Sequence, residues 1–353
     1  MPSAPVFLFI PVSCEKGIGE YMRSMIIANG VQKQWPNAEI HFALSKHAPY
    51  VDSCPFHTHI LQDSPTKQVK AVNNIISDLK PDMVIFDASG RKSQLKHAYK
   101  SGAKVVFISQ HKKKRTRGLK IGRSLVTHSH WVVQPEFAIA PLSIFERLKL
   151  KLINRPQPIV TGPIFSHPDN ANKLNILNKY GLADEPFILF SAGSGGHKYS
   201  QGNAADLFAD VAVHIKNQLK PVVVFGANYP NDLPTIEGVV CIRSLDNADF
   251  INLVSAAKAA VLSGGGTLLQ AIAMNVPTLA VVVAKDQPSR VNACIARDVI
   301  KSAELNFESM CKGVQELLVP ETLADLRDKT KQMKSVNGLE VCIADIARLL
   351  EDK

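Results

Sequence analysis

Ser263-Gly264-Gly265-Gly266-Thr267 is the stretch best equipped for chemistry. It follows an apolar run at 259–262 that reads as a short buried strand. It precedes Leu268, Leu269, Ile272 and Ala273 at helical spacing. Three glycines let a backbone approach a ligand closely, and free N–H groups at a helix start favour an anion. This predicts a phosphate-bearing ligand over the carboxyl ends of parallel strands. A second loop, Gly193-Ser194-Gly195-Gly196, follows the apolar run 187–191 and is expected to open a helix over 203–217 in the same way. Without a ligand, both loops are tight turns. His197, just past the first loop, is either a phosphate contact or an idle surface histidine.

Three residues could take a proton from an acceptor. Glu20 lies just ahead of a helix expected from Tyr21, Asp87 ends a strand at 83–86, and His111 follows a strand at 105–109. Each also has an ordinary reading. Glu20 could be a first-turn acid favoured by the helix dipole, and Asp87 a turn residue in Asp-Ala-Ser-Gly.

The formal charge is +10, unevenly placed. No acidic residue lies between Asp87 and Glu136, a stretch that holds 12 lysines and arginines. Its densest part, Lys112-Lys113-Lys114-Arg115, is expected on a loop after a strand, facing an anionic partner; the alternative is a solvated charge run. Leu142, Ile144, Phe145, Leu148, Leu150 and Leu152 then mix with Arg147, Lys149 and Lys151. That mixture predicts either a membrane-touching stretch or a helix packed on a domain junction.

The elements that position these residues alternate between apolar strand-like runs (6–12, 39–44, 83–86, 105–109, 131–133) and helical patterns such as 68–79. The junction 154–165 carries three prolines and a glycine. The alternation then restarts with strands at 187–191, 221–225, 239–242, 259–262 and 278–283, and helices at 249–256, 307–318, 320–333 and 338–350. At 353 residues with 46% apolar content, this is an α/β chain of two domains: 1–160, 161–335, and a helix in 336–353 that packs back on the first. No apolar run approaches the roughly 20 residues of a bilayer span. Residues 6–12 read as a strand rather than a signal peptide. Six scattered cysteines without a CxxC pair predict neither zinc site nor disulfide framework and suit a reducing cytoplasm.

Four places resemble the GT-B nucleotide-sugar enzymes of the lipid-linked muropeptide GlcNAc transferase group and the related nucleotide-sugar hydrolase of pseudaminic acid synthesis. Gly17-Ile18-Gly19-Glu20-Tyr21-Met22-Arg23 resembles their Gly-x-Gly-His-x-x-Arg loop. Val160-Thr161-Gly162-Pro163 resembles their junction Thr-Gly-Asn-Pro. Residues 191–196 resemble their first glycine loop, and 263–271 their Ser-Gly-x-x-Thr-x-x-Glu segment. The resemblance implies two Rossmann-like parallel-sheet domains facing across a cleft. It also implies donor contacts at Gly193–Gly196, Gly264–Thr267, Gln270, Asp286 and Gln287, and acceptor contacts at Gly17 and Gly19. Outside that resemblance, Asp286 reads as the cap of a polar helix start. Two departures stand out: Glu20 replaces the loop histidine, and Gln270 replaces the glutamate that grips the ribose.

The expected function is a hexosyl transfer, without cofactor or obligatory metal, from a nucleotide-diphosphate sugar to an anionic acceptor. That acceptor would be lipid-linked or polysaccharide, in cell-envelope synthesis, with peripheral contact at the inner face of the cytoplasmic membrane. A nucleotide-sugar hydrolase is the second expectation. A non-catalytic binder of RNA or anionic polymer is the third, disfavoured because no aromatics interleave with the basic run.

Overall fold

The computed structural model describes residues 4–12, 18–333 and 335–351. They form two compact units: unit 1 runs to Ile164 and resumes at Asn337, and unit 2 is Phe165–Val336.

Unit 1 holds β1 (Val6–Pro11), β2 (Glu39–Ser45), β3 (His57–Leu61), β4 (Met83–Asp87), β5 (Lys104–Ser109), β6 (Ser129–Val132) and β7 (Ile159–Val160). All are parallel, in the order β3-β2-β1-β4-β5-β6-β7. The crossovers carry α1 (Gly19–Gln34), α2 (Val69–Leu79), α3 (Lys92–Lys100), α4 (Lys112–Gly118), α5 (Ile121–Ser124) and α6 (Ile144–Leu152). The central strands β1, β4 and β5 read as apolar runs because both sheet faces are buried there. Phe7, Phe9, Ile85 and Trp131 pack on one face; Leu8, Ile10, Val84 and Phe86 pack under α2 and α3 on the other.

Unit 2 begins with α7 (Asn170–Lys179). Its six-stranded parallel sheet contains β8 (Phe187–Ser191), β11 (Lys220–Val224), β12 (Val240–Ile242), β13 (Ala259–Ser263), β14 (Thr278–Val281) and β15 (Lys301–Ala303), in the order β12-β11-β8-β13-β14-β15. A small hairpin, β9 (Lys198–Tyr199) with β10 (Gly202–Asn203), stands apart. Helices α8 (Ala204–His214), α9 (Asn247–Ala256), α10 (Gly266–Ala273), α11 (Pro288–Ile295), α12 (Phe307–Leu317) and α13 (Pro320–Gln332) complete it. Asn203, Asp246 and Asn306 cap α8, α9 and α12 by accepting a backbone N–H; such a cap stabilises a helix by about 1 kcal/mol.

The chain then returns to unit 1 as α14 (Gly338–Glu351). Leu339, Cys342, Ile346 and Leu349 enter the core beside α1, and Asp345 accepts a 2.7 Å hydrogen bond from the buried Trp131 indole. Among the described residues no helix is long and apolar enough to cross a membrane.

Each sheet reverses its strand order once, between β1 and β4 in unit 1 and between β8 and β13 in unit 2. Loops diverge at such a point and leave a crevice at the carboxyl ends of the strands, where ligands of open α/β sheets bind.

The structure corrects the sequence reading in two places that bear on function. The basic run 112–118 is helix α4, not a loop, with His111 in the N-cap position. Loop 193–196 does not open a helix, because the β9–β10 hairpin intervenes before α8.

Candidate active site

In unit 2 the two glycine loops lie side by side at the switch point. β8 and β13 are neighbours with Leu262 opposite Ser191, so their carboxyl ends coincide. Gly193 and Gly195 have φ of +90° and +88°, a backbone that side chains rarely adopt. A Cβ on Gly195 would fall 2.4 Å from the Phe225 carbonyl oxygen. Gly226 has φ +100°, and its Cβ would lie 2.3 Å from the Ser194 backbone. Loop 193–196 is therefore pressed against 225–229, where Asn228 N–H donates to the Ser194 carbonyl at 2.7 Å. Ser191 Oγ donates to the Val224 carbonyl at 3.1 Å and accepts from Gly193 N–H at 3.3 Å.

The second loop approaches α11 as closely. A Cβ on Gly264 would sit 2.5 Å from Val291 Cγ2. The buried Arg290 guanidinium donates to the Gly264 carbonyl. Gln287 Oε1 accepts from Val283 N–H at 2.8 Å and Ala284 N–H at 3.3 Å, so the side chain braces its own loop. Gly265 occupies the N-cap position of α10 with no side-chain cap, and Gly266 opens the helix. A Cβ on Gly266 would meet nothing within 4 Å. The loops converge on one hydroxyl: Ser263 Oγ lies 3.1 Å from a Cβ built on Gly193 and 3.6 Å from one on Gly265. Backbone N–H groups at a helix start, with a buried guanidinium behind them, make a place for a diphosphate.

Gln270 is buried one turn into α10. Asp286 is exposed, and Gln287 rather than Asp286 holds the N-cap position of α11, so the capping alternative for Asp286 does not apply. Ser194 and Thr267 are half-buried beside the glycines of their loops, and Gly196 is exposed.

In unit 1, Gly17 lies outside the described residues. Gly19 is exposed in the first turn of α1, and half-buried Glu20 follows it. Asp87 is corrected as a base: its side chain is fully buried and held bidentately by Arg23, with Nε to Oδ2 at 2.8 Å and a terminal nitrogen to Oδ1 at 2.6 Å. Burial pushes the Asp87 carboxyl up to about 6, while Arg23 pulls it down. A carboxylate engaged on both oxygens and sealed from solvent cannot meet an acceptor. Glu20 remains, half-buried in the first turn of α1 and near enough that its charge raises the pKa of both Arg23 and Asp87.

The loop after β4 is ringed by cations. Ala88, a non-glycine residue at φ +51°, accepts from Lys114 Nζ at 3.2 Å and Arg117 at 3.1 Å; Gly90 accepts from Arg123 at 2.6 Å. Burial lowers the pKa of Lys114, Arg117 and Arg123, and neighbouring arginines lower each further, Arg123 to about 10. Crowded cations of this kind favour an anion among them. Arg115 is corrected as an acceptor contact. It is buried and donates to the Ala140 and Pro141 carbonyls, the latter at 3.3 Å, anchoring α4 to the segment before α6. Lys112 and Lys113 are exposed, and His111 is half-exposed. Sequence reasoning missed Arg123 individually, although it lies in the acid-free stretch. It also missed Arg23 as a partner, although it follows Glu20 by three residues on the same face of α1.

The sequence matches no protein-family model, and no curated protein matches it significantly. Solved structures do match over nearly the whole chain. CalG4, the calicheamicin glycosyltransferase, has 14% identity, TM-score 0.65 and 99% coverage of both chains. UGT71G1 of Medicago truncatula, solved with UDP-glucose, has 13% identity, TM-score 0.65 and 98% coverage of both. A putative UDP-N-acetylglucosamine 2-epimerase of Listeria monocytogenes has 16% identity and TM-score 0.60, covering 100% of this chain and 98% of that one. Two parallel-sheet Rossmann-like domains with these likenesses define the GT-B fold.

Proposed function

We propose that this protein is a glycosyltransferase of the hexosyl-transferring kind. It moves a sugar from a nucleotide-diphosphate donor to an anionic acceptor, without an obligatory metal. The observation that carries the reading is the convergence of loops 193–196 and 264–267 on Ser263 at the unit 2 switch point, backed by Arg290. Several structural neighbours are glycosyltransferases, which supports the same reading. The loops receive the diphosphate, and the resemblance assigns the nucleoside and sugar to Gln270, Asp286 and Gln287. As the acceptor oxygen joins the anomeric carbon, the bond to the diphosphate breaks, and backbone N–H groups take up the leaving charge. Glu20 takes the acceptor proton. The cations around Ala88, with Lys112 and Lys113 outside them, receive the acceptor's negative charge. The resemblance to the lipid-linked muropeptide group supports an acceptor presented at the inner face of the cytoplasmic membrane.

The test is a salt series of nucleotide-sugar turnover and donor binding on wild type, Glu20→Gln and Lys112→Ser/Lys113→Ser. Glu20→Gln should lower turnover by about 100-fold with donor affinity unchanged. The double variant and high salt should weaken acceptor use alone, since screening shortens to about 3 Å at 1 M. Full activity in Glu20→Gln would shift the base to His111. Turnover indifferent to salt and to both lysines would replace the transferase with a hydrolase. Salt-sensitive RNA binding without turnover would replace both with a nucleic-acid binder.

A further inference from the structure

Helix α6 presents the three most exposed large apolar side chains among the described residues, Phe145, Ile144 and Leu152, with Leu148 beside them. Ile144 is 79% exposed, Phe145 85%, Leu148 52% and Leu152 77%. At about 100° per residue these four share an arc of about 100° on one side of the helix. Leu150, on the opposite side, is 2% exposed and anchors α6 to unit 1. By the same helical wheel, Arg147 and Lys151 flank the apolar arc on one edge and Lys149 on the other. The helix's single acid, Glu146, is turned back into a capping box: its Oε2 accepts from Ser143 N–H at 2.9 Å and from Ser143 Oγ at 3.1 Å. Arg147, Lys151 and Arg155 line one hollow with Ile144 and Leu148. Arg155 also donates to the Leu125 carbonyl at 2.5 Å.

We infer that α6 is a docking surface for an anionic lipid bilayer, with Ile144, Phe145, Leu148 and Leu152 entering the acyl boundary and Arg147, Lys149, Lys151 and Arg155 holding lipid phosphates. An amphipathic helix with basic flanks and an aromatic on its apolar side lies in the interfacial plane, and long cationic side chains reach up from it to the headgroups. Charge selects this occupant. A second copy of the chain, meeting α6 through a two-fold axis, would set these cations against themselves, whereas an anionic headgroup layer neutralises them. The inference deepens the lipid-linked-acceptor reading but rests on separate residues.

The test uses the full chain with phosphatidylcholine vesicles, with and without phosphatidylglycerol. Wild type should co-sediment with the phosphatidylglycerol vesicles only. Lys149→Ser/Lys151→Ser should weaken that binding by about 30-fold, at the strength of two headgroup cations. Phe145→Ser/Leu148→Ser should abolish it while leaving thermal stability unchanged, because both side chains are exposed. A Phe145→Trp reporter should shift its emission to the blue on vesicle addition. Equal vesicle binding by wild type and Phe145→Ser/Leu148→Ser would overturn the inference, as would no binding to phosphatidylglycerol vesicles. A concentration-dependent dimer lost in that same variant would overturn it in favour of a second copy, and capture of an acidic protein with no vesicle binding would overturn it in favour of a protein partner. Donor binding is measured alongside. Its absence in wild type counts against the proposed transferase and leaves the α6 result standing.

Discussion

At the unit 2 switch point, the carboxyl ends of β8 and β13 carry glycine backbone, a serine hydroxyl and one buried arginine. At the unit 1 switch point, the ends of β1 and β4 carry a sealed Arg23–Asp87 pair, a left-handed Ala88 and a ring of lysine and arginine. The same topology thus builds two different anion environments. Unit 2 offers main-chain dipoles at close-packed positions where a side chain on Gly195, Gly226 or Gly264 would clash, which suits a ligand of constant geometry such as a diphosphate. Unit 1 offers side-chain charge, long-ranged and screened by salt, which suits an acceptor recognised more by charge than by shape.

Asp87→Asn would break the comparison most severely. It leaves the Arg23 guanidinium buried without its counter-charge, which should destabilise unit 1 by about 3–5 kcal/mol. Denaturant unfolding followed by Trp131 fluorescence reads this directly. A variant as stable as wild type would show that the pair is not what holds β4 against α1. In unit 2 the matching experiment is Gly265→Asp. The position has an ordinary negative φ, and its Cβ would meet only Ser263 Oγ at 3.6 Å, so the fold accommodates the carboxylate. Nucleotide affinity by calorimetry should fall by about 100-fold or more, since like charges would meet where fixed N–H groups now favour an anion. Unchanged affinity in a folded variant would place the donor site elsewhere.

The smallest effect concerns pH and again separates the units. His130 of unit 1 is buried beside Ser109, at 2.9 Å, and burial first, then Arg115, lowers its pKa to about 3. Its neutral ring stabilises the fold above the unfolded value of about 6.5 and loses that contribution as pH falls toward 3. At pH 5 the loss is about 2 kcal/mol. The informative comparison is therefore His130→Gln against wild type. The variant should flatten the acid limb of unit 1 stability by about 2 kcal/mol at pH 5, and identical limbs would show that His130 titrates normally.

Much of this architecture is legible in the sequence wherever a strand is buried on both faces. Val6–Pro11, Met83–Asp87 and Ala259–Ser263 read as apolar runs because parallel central strands have no polar side. The edge strands β3, with two histidines and a threonine, and β15, Lys-Ser-Ala, carry no such run and were not foreseen. The glycine loops were visible because close approach of two backbones demands glycine at those places. Charge was visible only as a sum. Nothing local tells that Arg115 turns inward to Ala140, or that Arg23 and Asp87, 64 residues apart, neutralise each other. Pairing is a property of the folded sheet, and the acid-free stretch predicted a field without saying which cations would remain to make it.

The return of α14 to unit 1 has a consequence for synthesis. Unit 1 starts first, yet four of its core residues, Leu339, Cys342, Ile346 and Leu349, are made after all of unit 2. A nascent chain ordinarily completes its domains from the N-terminal end. Here unit 2, an uninterrupted segment, has its whole core in hand while the face of α1 that awaits α14 is still open. The unit that emerges first on the ribosome is the one that closes last.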